Sequence, residues 1–192
     1  VFCFSFWGFF RFIKPHEKNK FVNETVSMRY NTLNLLTQLV SEGKIDSLIL
    51  DNFSINQNLN SLLPDLMPVK GIVTKGIGGE DKNHFGIDIA AKLGDKIQAS
   101  QEGMVVFSGK YNDYGNTIII AHPNNYYTLY SHLQKHLVHQ RKYVNQGDYI
   151  GTIGETGKSD GPHLHFEIWK NNIIIDPREI IKEYKKKDVS IK

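Results

Sequence analysis

Two histidines, His163 and His165, stand either side of one leucine in the stretch GPHLHFEI at 161–168. Imidazole is both a metal ligand and a carrier of protons near neutral pH. The stretch around them reads as a β-strand, with Leu164, Phe166 and Ile168 alternating with His163, His165 and Glu167. Side chains two apart on a strand share a face, so both imidazoles point the same way, roughly 6–7 Å apart. Leu164, Phe166 and Ile168 then face a core. The two imidazoles can line one small cavity. The competing reading is a half-exposed strand that turns polar side chains to water.

A second pair lies far upstream. The run NHFGIDIA at 83–90 places His84 and Asp88 four residues apart, with Asp88 inside an apolar stretch. A carboxylate there is costly unless it is paired or bound to a cation. His84, Asp88 and one later histidine make three N/O ligands with one position left for water, the stoichiometry of a catalytic zinc site. The chain has a single cysteine, Cys3, which excludes internal disulfides and multi-cysteine zinc sites. Any metal must be held by His, Asp or Glu. His132, in YYTLYSHL at 126–133, is a further histidine at a strand end. On its own it reads equally well as an exposed strand-end residue.

The elements that must carry these residues begin near residue 70. From there the chain breaks into short strand-like runs: GIVTK, FGIDIAA, DKIQAS, GMVVFSG, NTIIIAH, YYTLYSH, DYIGTIG, HLHFEIW and NIII, punctuated by Gly103, Gly109, Gly115, PNN at 123–125 and Gly147. Closely spaced short strands with such turn signals predict a mainly β, antiparallel domain over 70–180. Before it, residues 15–69 read as a helix and a linker. The helix covers 23–43, with Asn23 as N-cap and Gly43 as stop. Its apolar positions Val22, Val26, Leu33, Leu36 and Val40 form a seam interrupted by Arg29. That seam suits self-association, a protein partner or packing on the chain's own domain. Residues 1–14 are aromatic-rich, with no charge before Arg11. They are too short to span a bilayer alone and lack the parts of a complete signal peptide. They read as the trailing end of a membrane anchor, the alternative being a segment that packs on the fold. Residues 181–192 read as a basic tail.

Bulk composition agrees. The 192 residues are 40% hydrophobic and 22% charged with a net charge of +3, ordinary for one globular domain and an extension. The lysines near the C-terminus read as a solvated end and not a nucleic-acid patch.

These residues resemble the lysostaphin-type, or LytM-type, zinc endopeptidases, which cut peptidoglycan peptides. The resemblance runs from about residue 68 to 178 and rests on HFGIDIAA at 84–91, GDKIQASQEGMVVFSG at 94–109, YGNTIIIAH at 114–122, YTLYSHL at 127–133, VNQGDYIGTIGETGKSDGPHLHFEI at 144–168 and IDPREI at 175–180, all in order. It implies that His84, Asp88 and His165 hold Zn²⁺ and that His132 and His163 are the catalytic histidines. It also implies a peptidoglycan substrate and a place in the bacterial cell envelope, periplasmic or extracytoplasmic; the aromatic-rich start and the helix after it suit a membrane tether. Some relatives have lost ligands and activate other hydrolases; here all five positions are filled. Lys82 occupies the position two before the first histidine where many relatives carry a basic residue, and Phe85 stands where a small residue is more usual; TKGIGGEDKN at 74–83 is short beside the long loops of some relatives, which bears on substrate preference. Glu167 reads as solvent-facing or as a partner of the site, without an assigned role. His16, His122, His136 and His139 read as surface or structural residues.

Overall fold

The alternating runs after residue 70 all become strands. The computed structural model describes residues 38–39, 41–44, 63–78 and 84–190. Its strands are β1 (Ile72–Lys75), β2 (Ile87–Ala90), β3 (Lys96–Gln98), β4 (Gly103–Tyr111), β5 (Gly115–His122), β6 (Tyr126–Ser131), β7 (Lys135–His136), β8 (Tyr143–Val144), β9 (Tyr149–Thr152), β10 (His163–Lys170) and β11 (Ile173–Ile175). The strands β7 and β8 are two residues each, too short to leave a period in the sequence. Two short helices follow, α1 (Pro177–Ile180) and α2 (Lys182–Lys186). Asp176 caps α1 by accepting from the Arg178 backbone N–H, and Pro177 opens its first turn.

Eight strands form one sheet in the order β1-β2-β10-β6-β5-β4-β8, with β11 beside β10; β3, β9 and β7 form a second sheet. Strands β4, β5 and β6 are joined by tight local turns. Strand β10 instead inserts between β2 and β6, elements far apart in the chain. That insertion brings the distant histidines together.

Both faces of the large sheet are buried. Leu164, Phe166 and Ile168 join the first core with Ile87, Ile89, Ile118, Ile120, Ile97 and Ile153. This is the core face the alternation predicts. The opposite face carries His165, Glu167 and Trp169, and it too is mostly covered. Trp169 packs there with Val106, Phe107, Tyr111, Ile119, Leu129 and Leu39. Leu39 has no exposed surface. It belongs to the last turn of the predicted helix: Gln38, Leu39 and Ser41 are helical, and Gly43 stops the turn at φ 67°. Residues 23–37, Val40, the predicted anchor at 1–14 and His16 lie outside the described residues. Among the described residues, no helix is long and apolar enough to cross a membrane.

The C-terminal stretch is partly built into the domain. Ile181 and Tyr184 are buried in the first core, while the lysines of α2 face solvent. The Tyr184 hydroxyl donates to the Val69 carbonyl at 2.7 Å. Val189 N–H donates to Val73 O, and Val73 N–H to Lys187 O, each at 3.0 Å. The stretch 187–189 therefore lies along the outer edge of β1.

Candidate active site

The central pair of β10 and β2 sets the site. In the antiparallel register His165 lies opposite Asp88, so their side chains leave the sheet on the same face as neighbours. His84 enters from the turn before β2. It can do so because Gly86 lets β10 approach: a Cβ on Gly86 would sit 2.4 Å from Phe166 O and 2.8 Å from Glu167 Cγ. His84 Nε2 is then 2.9 Å from Asp88 Oδ1 and 3.1 Å from His165 Nδ1, and His165 Nδ1 is 2.8 Å from Asp88 Oδ1. Among the described residues, these three form the group of His, Asp and Glu side chains close enough to share a metal ion.

The outer hydrogen bonds decide which atoms face inward. His84 Nδ1–H donates to the Gly76 carbonyl at 2.8 Å. His165 Nε2–H donates to Glu167 Oε1 at 2.8 Å. Both rings therefore carry a lone pair on the nitrogen that faces Asp88. Two imidazole lone pairs and a carboxylate oxygen, each about 3 Å from the next, repel unless positive charge lies among them. Tetrahedral ligands of zinc, at bonds of 2.0–2.1 Å, stand roughly 3.3 Å apart, so the residues fit such an ion. The same demand for positive charge shows in the titration of the groups. Burial works to lower the basicity of His165, but its bonds to Asp88 and Glu167 outweigh this and raise its pKa to about 9. Burial pushes Asp88 up, and its bonds to His165 and His84 overcome that and hold it well below the usual carboxylate range. A proton on His165 or a shared cation meets the demand, and the two compete.

His132 and His163 complete the cluster. His132 follows β6 in a left-handed conformation, φ 62°, uncommon for a residue with a Cβ. Three contacts hold it there. Its backbone N–H donates to Tyr114 O at 2.9 Å, its Nδ1–H donates to Thr156 O at 2.8 Å, and Gly154 packs flat against its carbonyl. His163 Nδ1–H donates to Gly161 O at 2.8 Å. Each ring thus presents Nε2 as an acceptor. The two ring centroids are 4.7 Å apart, and His163 Nε2 is 3.8 Å from Asp88 Oδ1. Burial, with His163 and His165 close by, brings the His132 pKa down to about 4. Beside the cluster opens a cleft of about 820 Å³, lined by Asp88, His163, Thr74, Lys75, Asp160 and Arg178 among others.

All five residues singled out in the sequence are therefore together. Glu167 is not solvent-facing: it is 1% exposed and bonds to His165. The period of two that pairs His163 with His165 also places Glu167 on their face. Tyr114 carries no such signal. Its hydroxyl donates to Glu167 Oε1 at 3.0 Å, and its ring lies edge-on to His165 at 5.6 Å. His122, His136 and His139 do not join the group. His122 is buried on β5, His136 lies half-buried in β7 and His139 is exposed. Phe85 is half-buried, and Lys82 lies outside the described residues.

The model of peptidase family M23 matches residues 82–177, half the chain and all five residues. The chain is 44% identical over 105 residues to the peptidoglycan DD-endopeptidase ShyC of Vibrio cholerae, covering 54% of this chain and 24% of that protein. It is 38% identical over 111 residues to the murein hydrolase activator NlpD of Salmonella dublin, covering 57% of this chain and 29% of that one. It thus spans about a quarter of the length of these curated relatives. The structure of the antimicrobial peptidase lysostaphin from Staphylococcus simulans superposes with a TM-score of 0.54 at 31% identity, covering 59% of this chain and 50% of lysostaphin. With the sheet, the inward-facing histidines and the matched segment in agreement, the chain belongs to peptidase family M23, of the lysostaphin and LytM type.

Proposed function

We propose that this chain is a zinc-dependent endopeptidase that hydrolyses peptide bonds in the stem peptides or cross-links of bacterial peptidoglycan. The observation that carries the reading is the convergence of His84 Nε2, Asp88 Oδ1 and His165 Nδ1 within 3.1 Å of one another, beside two histidines whose Nε2 atoms are free to accept. His84, Asp88 and His165 hold the zinc. Bound there, it supplies Lewis acidity, polarising a carbonyl and bringing the pKa of a water from about 15.7 towards about 7. His163 lies at the lip of the cleft, its side chain 15% exposed, where a substrate amide enters. His132 faces it from the other side. One of the two takes the proton that the attacking water gives up, and a proton then passes to the departing amine. The ring that has taken that proton donates from Nε2 to the oxygen that gains charge. The backbone carbonyls behind their Nδ1 atoms keep Nε2 aimed inward throughout.

The proposal extends to place. A peptidoglycan substrate puts the protein outside the cytoplasm, in the cell envelope, and residues 1–14 are its tether at the membrane. A second reading is a module that activates other hydrolases without cutting, as the name of NlpD describes for that protein. The filled five-residue cluster favours catalysis.

Zinc-loaded protein incubated with purified sacculi, with released muropeptides identified by mass spectrometry, tests this. Cross-linked dimers should decline and peptides with new ends appear, and His165→Ala should release none. No release from the wild type alone, but release once a second hydrolase is added, would establish the activator reading in its place.

A further inference from the structure

Glu167 lies at the back of the site and has no part in the reading above. Its carboxylate is almost fully buried, which is costly unless each oxygen is bonded. Oε1 accepts from His165 Nε2–H at 2.8 Å and from the Tyr114 hydroxyl at 3.0 Å. Oε2 accepts from the Trp169 indole N–H at 2.7 Å. Tyr114 and Trp169 are neutral donors, so the charge that balances Glu167 lies on His165 or beyond it.

His165 also differs from the other three histidines of the cluster. His84, His132 and His163 each rest Nδ1–H on a backbone carbonyl and turn Nε2 inward. His165 is reversed, with Nε2 outward on a carboxylate and Nδ1 inward. Its strand dictates this. A ring leaving the middle of β10 beside Asp88 reaches the shared point with its nearer nitrogen, Nδ1. The outward Nε2–H then points along the strand to the residue two further on, on the same face.

We infer that Glu167 is a positioning residue for metal binding: it holds His165 in the Nε2–H form, aims the Nδ1 lone pair at the point shared with His84 and Asp88, and strengthens that donor with its charge. Tyr114 and Trp169 lock the carboxylate in place. The inference rests on the zinc reading of the site. Two neutral imidazoles, Asp88 and Glu167 would together balance a divalent cation.

Glu167→Gln tests it. The amide keeps the volume but puts an NH₂ group where one oxygen was. Either that group meets the Trp169 N–H, donor against donor, or it turns to His165 and favours the wrong tautomer. Zinc affinity of the full chain, measured by competition with a chromophoric chelator, should weaken roughly 10–100-fold. Trp169→Phe removes a bond to the same carboxylate but leaves the bond to His165, and should stay within a few-fold of wild type. Affinity unchanged in Glu167→Gln, or weakened equally in Trp169→Phe, would overturn the inference and leave the zinc reading standing. A wild-type chain that bound no zinc would overturn both. A readout independent of any variant is the ¹⁵N spectrum of the zinc-loaded wild type: His165 should show a protonated Nε2 and a bare Nδ1, and the opposite tautomer would defeat the idea.

Discussion

His132 and His163 are set apart from the other site residues by what their inner nitrogens face. His163 lines the cleft and the His132 ring lies 4.7 Å from it, centroid to centroid, while the inner nitrogens of His84 and His165 face Asp88 at 2.9 and 2.8 Å. On the proposed mechanism, removing His132 leaves the three-ligand cradle complete but takes away a proton carrier. His132→Ala should keep close to one equivalent of zinc by elemental analysis, while hydrolysis falls by roughly 10²–10⁴, the usual range for a lost acid or base. Unchanged turnover would remove His132 from the mechanism. Loss of the zinc would make it a ligand.

At the scale of elements, β5 shows how a histidine can serve the fold alone. His122 ends that strand fully buried. Its Nδ1–H donates to Glu102 O at 2.7 Å, and its Nε2 lies 2.7 Å from Thr128 Oγ1, itself 2.9 Å from the Tyr130 hydroxyl. Burial lowers its pKa from 6.5 to about 4, against the pull of the Glu102 carbonyl. Above pH 6.5 the folded and unfolded states are both neutral at this residue, so its contribution is intact. As the pH falls below 6.5 the unfolded chain takes up a proton that the folded chain refuses, and stability declines until about pH 4. The full loss is about 3 kcal/mol. Urea unfolding of wild type and His122→Gln between pH 7 and 4 should show the wild type losing about 3 kcal/mol more than the variant. Parallel curves would show that His122 does not carry this acid sensitivity.

Across the whole molecule, the first core is built from residues 69–184, but the second takes in Leu39. The turn holding Leu39 also meets Tyr111, whose hydroxyl donates to Gln38 Oε1 at 2.9 Å, and Gln140, whose side-chain NH₂ donates to Lys44 O at 2.6 Å. None of the residues lining the cleft belongs to this cluster. A fragment of residues 68–192 should therefore fold and bind zinc, because the first core and the site are intact. It should also melt at a lower temperature than the full chain. Losing one fully buried leucine from a core costs about 2–5 kcal/mol, and Leu39→Ala in the full chain should show a similar drop by calorimetry. An unfolded or metal-free fragment would make the N-terminal segment part of the catalytic fold and move the boundary proposed near residue 70.

Much of the site was legible in the residues themselves. The two-residue spacing of His163 and His165 in an alternating strand fixes their common face, and Asp88 in an apolar run demands a partner; both follow from local geometry and the cost of burying charge. Order and spacing of the motifs also carried the family and the mainly β fold. The tertiary structure alone decided what depends on distant contacts. Strand β10 lies between β2 and β6, and no local pattern encodes that pairing. The second face of the sheet is covered where Leu39, Tyr111 and Trp169 meet, and of the two readings of Glu167, solvent-facing or a partner of the site, the buried bond to His165 decides for the second. Tyr114 reaches that carboxylate across 53 residues of sequence. Ile181 and Tyr184 pack inward from a lysine-rich stretch. Periodicity tells which residues share a face; what covers the face is set by segments far away in the chain.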